Sequence, residues 1–185
     1  MKKCLCAVLA LFMALSLAGC GGDNDKTNGA KPEKPNSSSS VPEKDMYKRY
    51  ALGEAGVSGE YQLKTVSFET TTEIPKLRDE KYTTNNEFVV VEIEIAAIDQ
   101  ALDTGYSLLD FLLVDTDKKT YAADDKSIEL NVILGDDGYV GPYDALNPGL
   151  FKKAKLVFEV PKGIKPALIA NSNGGSDTYV EYSLT

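Results

Sequence analysis

An all-β fold, an antiparallel sandwich of about seven strands, is what the sequence predicts, and three observations predict it. Phe88 to Ile98 alternates with a period of two, placing Val89, Val91, Ile93, Ile95 and Ala97 on one face and Glu92 and Glu94 on the other. That is the mark of a strand with one buried face. Ala154 to Val160 repeats the pattern, with Ala154, Leu156, Phe158 and Val160 opposed to Lys155 and Glu159, and Pro161 stops it. Turn-forming stretches separate the other short apolar runs, and no segment after Asp45 shows a helical period.

Taken in order, Met46 to Leu52 reads as a short helix or a lead-in strand that Gly53 breaks. Tyr61 to Glu69 reads as a strand whose apolar phase slips from Tyr61 and Leu63 to Val66 and Phe68. The slip predicts a bulge near Lys64-Thr65. Thr70 to Asn86 is polar, contains Pro75 and reads as a long connection. Leu108 to Val114 is apolar on both parities apart from Asp110, as expected of a central strand. Asp115 to Lys119 is a turn, and Thr120-Tyr121-Ala122 begins the return strand of a hairpin. Ile128 to Leu134 reads as another strand, and Gly135 to Gly149 as a loop rich in Gly, Asp, Pro and Tyr. Pro166 to Ala170 is a short strand, Asn171 to Ser176 a turn, and Thr178 to Thr185 a closing strand with Val180, Tyr182 and Leu184 inward.

The N-terminus obeys a different logic. Met1-Lys2-Lys3 and the apolar run Cys4 to Ala18 have the charged start and apolar middle of an export signal. The run is too short for a spanning helix, which needs roughly 20 apolar residues, and no Lys or Arg follows it to stop transfer. Leu17-Ala18-Gly19-Cys20 then resembles the lipobox of bacterial lipoproteins at all four positions. That resemblance implies diacylglycerol on the sulfur of Cys20 and cleavage before it. An ordinary secretory signal with an incidental cysteine is the alternative. Two acyl chains hold a protein at a membrane where one does not. Gly21 to Asp45 contains Val41 as its one aliphatic residue larger than alanine. Such composition stays disordered and reaches roughly 25–30 Å. The chain therefore divides into a signal peptide (1–19), a lipidated cysteine with linker (20–45) and a sandwich domain (46–185).

Composition excludes whole classes of chemistry. The chain has no histidine, and its three cysteines are Cys4, Cys6 and Cys20, so processing and lipidation use up every thiol. His-based triads, Cys–His pairs and zinc or copper sites of imidazole and thiolate are ruled out. A net charge of −8 without a basic patch argues against nucleic acid as a partner.

Three candidate constellations remain. Asp115, Asp117, Asp124 and Asp125 could offer oxygens to calcium. They equally suit a solvated hairpin turn, and the EF-hand spacing fails because Lys119, Thr120 and Lys126 stand where an oxygen ligand, Gly and Glu belong. Paired carboxylates acting on cell-envelope glycans form the enzymatic alternative, although no two are singled out. The loop Gly135 to Asp144, with Asp136, Asp137, Tyr139 and Tyr143, is the best candidate contact surface. Tyrosines in end loops supply contact area at low entropic cost, and this loop suits a basic protein or a glycan. No catalytic residue and no cofactor beyond the lipid are expected.

One further resemblance emerges from Leu52-Gly53-Glu54, Phe88-Val89-Val90-Val91-Glu92-Ile93, Phe111-Leu112-Leu113-Val114-Asp115, Lys119-Thr120-Tyr121, Leu146-Asn147-Pro148-Gly149 and Leu156-Val157-Phe158-Glu159-Val160-Pro161. Together, over Tyr50 to Thr185, they resemble a telokin-like, immunoglobulin-like domain of unknown function found in surface lipoproteins of Gram-positive bacteria. The resemblance implies an immunoglobulin-like sandwich on the extracytoplasmic face of the cell membrane, with a binding or structural role and no established catalytic residues.

Overall fold

The computed structural model describes residues 48–172 and 179–185. The signal peptide, Cys20, the linker and most of the expected Asn171 to Ser176 turn lie outside them. Among the described residues, nine strands form two sheets. The first has the order β1-β9-β8-β5-β6, from Lys48–Tyr50, Val180–Ser183, Pro166–Asn171, Phe111–Asp115 and Thr120–Ala122. The second has the order β2-β3-β4-β7, from Gly56–Ser58, Tyr61–Lys76, Glu80–Ala97 and Lys152–Val160. All pairings are antiparallel except β1 with β9. The sandwich is as the sequence predicts, with more strands than the seven expected.

The inner faces meet in one core, in which Val89, Val91, Ile93 and Ile95 of β4 and Leu156 and Phe158 of β7 pack against Phe111, Leu113, Ile169 and Tyr182. Gly56 has a packing reason: a Cβ there would lie 2.2 Å from the ring of Tyr50, which stacks on Tyr182 at 5.4 Å. The Tyr182 hydroxyl is buried and makes no hydrogen bond among the described residues. An unsatisfied buried hydroxyl costs more than it returns. Tyr182→Phe, which keeps the stack, is expected to stabilise the domain by about 1 kcal/mol. A urea midpoint at or below that of the parent would refute this.

Three sequence expectations are corrected, and the expected bulge is found one residue along. Thr70 to Asn86 is not a loop: β3 runs on to Lys76 and β4 starts at Glu80, joined at Leu77-Arg78-Asp79 with Arg78 and Asp79 at φ 66° and 61°. Its polarity reflects a hairpin extended into solvent, where threonines satisfy β-propensity without needing a core. The bulge falls at Val66, just after the expected place, and Thr72 is skipped in a second one. Leu108 to Asp110 is a 3-10 turn rather than part of a strand, because the Ser107 hydroxyl accepts the N–H of Leu109 at 3.2 Å. Strand β5 starts only at Phe111.

The third correction concerns Ile128 to Leu134. Lys126–Ile133 is a helix, α1, lying on the outer face of the second sheet. Leu130 packs there with Ile74, Phe88, Val90 and Val157 in a separate small core. The face turned inward is Ser127, Leu130 and Asn131, a spacing of three and four. Two of these three are polar, which hides the helical period.

Candidate functional site

The loop after α1 was the expected contact surface, and the fold splits it. Gly135–Asp137 forms a 3-10 turn that carries Asp136 and Asp137 exposed. Tyr139 then folds back onto the second sheet. Its hydroxyl donates to Glu92 Oε2 at 2.8 Å, and the Lys153 and Lys155 ammoniums sit 5.6 and 5.7 Å from its ring centre. Burial and the hydrogen bond to the Glu92 carboxylate push its phenol up to about 12. Tyr139 and Asp137 line a groove of about 530 Å³ with Glu69, Glu73, Val90 and Leu130.

Tyr143, four residues on, belongs elsewhere. The N–H of Val140 donates to the Lys153 carbonyl at 2.8 Å, and Leu102 and Leu146 exchange backbone hydrogen bonds at 2.9 and 3.0 Å. The Gly141 N–H donates to the Asp144 carboxylate at 2.6 Å. These bonds pin the loop at both ends and leave Tyr143 at its tip, 77% exposed. It lines a second cleft, of about 560 Å³, with Tyr61, Leu102, Tyr106, Ser107, Leu109 and Asp125. Tyr106 holds the back wall: its hydroxyl donates to the Val140 carbonyl at 3.2 Å and its ring meets Phe111 edge-on at 5.9 Å. Tyr61 reaches Asp110 Oδ2 by a long hydrogen bond of 3.5 Å, and burial with that carboxylate pushes its phenol up to about 12. Leu109, 90% exposed, stands on the rim.

Sequence reasoning missed Tyr61, Tyr106 and Leu109. Leu109 was placed in a buried strand, and Ser107 ahead of Leu-Leu-Asp was the signal that a turn intervenes.

The four candidate calcium ligands are separately employed. Asp115 Oδ1 accepts the N–H groups of Asp117 and Lys119, each at 2.9 Å, and Oδ2 accepts the Tyr121 hydroxyl at 3.0 Å. Asp124 accepts the Lys126 N–H and pairs with its ammonium, both at 2.8 Å. Asp117 and Asp125 are exposed, the latter at the start of α1. Among the described residues no group of three or more acids, Cys or His is arranged to hold a metal ion. Equal melting midpoints of the full chain in millimolar calcium and in chelator are the expected result, and a midpoint raised by calcium would place a site here.

Burial acts upward on the Asp115 carboxyl, but the Lys119 amide, the Tyr121 hydroxyl and the Asp117 amide outweigh it and hold the group below its ordinary range. Glu159 is held down by Thr84 and Asn86, and Glu129 by the Tyr82 hydroxyl and the Leu77 amide. Each folded value lies below the unfolded one, so the stability these groups contribute is complete above about pH 4–5 and is lost as pH falls through the folded values. The urea midpoint should drop steadily below pH 5, less steeply in Asp115→Asn. A flat midpoint from pH 5 to pH 3 would contradict the assignment.

Comparisons place this architecture among known proteins. No match is found among curated proteins. MPT63, a secreted protein from Mycobacterium tuberculosis, superposes with a TM-score of 0.54 at 13% identity, over 73% of this chain and 95% of that one. An uncharacterised β-sandwich protein from Clostridium difficile superposes with a TM-score of 0.50 at 15% identity, over 84% of this chain and all of that one (100%). At such identities the likeness concerns the fold. A family model spans residues 50–179, and the chain belongs to that family, described as a domain of unknown function (DUF4352).

Proposed function

We propose that the protein is a lipid-anchored extracytoplasmic lipoprotein whose sandwich serves as a binding module and not as an enzyme. The anchor rests on Leu17-Ala18-Gly19-Cys20 behind an export signal, with the cell membrane of a Gram-positive bacterium as its setting. Residues 20–45 then act as the tether and 46–185 as the module. Among the described residues no helix is long and apolar enough to cross a membrane. If globomycin leaves the mobility of the protein unchanged, and Cys20→Ala still fractionates with membranes, the anchor is wrong.

The binding role rests on one observation: Leu109 and Tyr143 flank an open cleft with side chains that folding leaves in water. Large exposed apolar groups beside a concave surface mark contact sites. Tyr61, Tyr106 and Asp125 give the cleft aromatic and acidic chemistry, suited to a glycan or to a basic protein segment. A photocrosslinking residue at position 143, on intact cells, should capture one defined partner. The same probe at the exposed Val132 of α1 should not. Equal capture at both positions would remove the cleft from the proposal.

A further inference from the structure

The second sheet treats its two edges in opposite ways. Along β7, five outward backbone groups between Lys153 and Val157 are satisfied. The Lys153 carbonyl accepts the Val140 N–H at 2.8 Å. Asn131 Oδ1 accepts the Lys155 N–H, and its Nδ2 donates to the Lys155 carbonyl, both at 2.8 Å. The Val157 N–H donates to Ser127 Oγ at 2.8 Å, and its carbonyl accepts the Asp124 N–H at 2.7 Å. This edge is closed to another strand.

The β3 edge is open, and the register says where. Lys153, Lys155 and Val157 point their backbone groups away from β4, so their partners Glu94, Glu92 and Val90 point theirs toward β3. Lys64, Ser67 and Glu69, opposite those three, therefore bond to β4, and Phe68 and Thr70 face outward. The Gly53 N–H covers the Thr65 carbonyl at 2.9 Å on one side. On the other, the Thr71 hydroxyl ties up the N–H and C=O of Glu73 at 3.2 and 3.0 Å. Between these stops, among the described residues, nothing pairs with the four outward groups of Phe68 and Thr70. Unpaired edge groups are a template for an incoming strand.

Beside this window lies the 530 Å³ groove, to which Glu69, Thr71 and Glu73 contribute the near wall and Val90 the floor. The side chains of Glu69 and Glu73 are 67% and 50% exposed. Lys155, on the far wall, is engaged by Glu92 at 3.8 Å and Glu69 at 3.9 Å. A second copy of the strand would bring Glu69 and Glu73 against their own like charges, which disfavours self-pairing. The groove lining sets Glu69, Glu73 and Asp137 against Lys153 and Lys155, with Glu73 also paired to the exposed Lys81 at the window's end, so Glu69 is the acid left for a newcomer. A basic strand meets that carboxylate and an opposite charge on the chain as a whole, at −8.

We propose that the Val66–Thr72 edge of β3 docks an extended, basic segment of a partner protein. The segment adds as a strand through the N–H and C=O groups of Phe68 and Thr70 and sets a Lys or Arg side chain against Glu69 at the groove. Backbone pairing supplies the affinity and the alternate side chains the selectivity. This surface is separate from the Tyr143 cleft and stands or falls without it.

The test uses the full-length chain, a synthetic nonapeptide alternating valine and lysine, and its valine–glutamate counterpart. The lysine peptide should slow hydrogen exchange at the Phe68 and Thr70 amides at least tenfold while leaving the Lys155 and Val157 amides unchanged, and the glutamate peptide should do neither. Thr70→Pro removes an outward N–H without touching the ladder to β4, a position where edge strands accept proline, and should abolish the protection. Glu69→Lys, which keeps every backbone group, should weaken binding at least tenfold. No protection at millimolar peptide, protection that survives Thr70→Pro, equal binding of both peptides, or a concentration-dependent dimer that Thr70→Pro dissolves would each overturn the proposal.

Discussion

Asn131→Leu is expected to destabilise the domain by about 3 kcal/mol, because it strips partners from two backbone groups that the helix covers. Asn131 is 1% exposed and makes three hydrogen bonds: Nδ2 to the Ser127 carbonyl at 2.7 Å, Nδ2 to the Lys155 carbonyl and Oδ1 from the Lys155 N–H. Leucine fits the hydropathy of the neighbouring small core but cannot serve the Lys155 backbone. Each buried group left unpaired costs about 1–3 kcal/mol, and the added apolar contact recovers only part of it. The melting midpoint should fall by about 10 °C. Ser127→Ala leaves the Val157 N–H without its partner and removes the hydroxyl's bond to the Asp124 carbonyl at 2.6 Å, but that carbonyl keeps the Ser127 N–H at 2.9 Å, so the cost should be about half as much. The two side chains serve the same stretch of β7, so the double variant should fall short of additivity. A midpoint within 2 °C of the parent for Asn131→Leu would show that water replaces the side chain at this edge.

The same residue explains what the sequence could and could not disclose. Period-two alternation located β4 and β7 because their inner faces are uniformly apolar. It failed at α1 because the inward face of that helix is chosen for bonding to a sheet edge and not for hydrophobicity. With Ser127 and Asn131 polar, Ile128, Leu130, Val132 and Leu134 were left as a false strand alternation. The apolar parity of Phe88 and Val90, opposite the main core face, was the available clue that something covers the outside of β4.

The candidate site was legible to a similar degree. The loop holding Tyr139 and Tyr143 was found, since Gly, Pro and Asp mark it, but its division between two clefts depends on contacts with Lys153, Leu102 and Glu92, far away in the chain. Asp115 drew notice as a charge, whereas three hydrogen bonds make it the organiser of the β5–β6 turn. Local chemistry was readable, and pairing across the sheets was not.

Gly105→Ala is the substitution expected to join stability to the cleft. Gly105 sits at φ +65°, where a side chain is strained, and a Cβ there would lie 2.5 Å from the carbonyl oxygens of both Pro142 and Asp144. Those are backbone atoms of the loop that presents Tyr143, so no side-chain rotation can relieve the clash. The left-handed backbone costs about 1 kcal/mol and the overpacking about 1–3 more. A total near 3 kcal/mol is therefore expected in a urea melt. Relief must come from pushing the Pro142–Asp144 segment away from Gly105, which opens the cleft between Tyr143 and Tyr106. Capture through position 143 should then fall together with stability, whereas Leu109→Ala should lower capture at an unchanged midpoint, because its side chain is 90% exposed and supports no packing. If Gly105→Ala melts with the parent, the close approach of this loop to residue 105 is wrong. If it destabilises but leaves crosslinking at 143 intact, partner binding does not depend on the shape of the cleft.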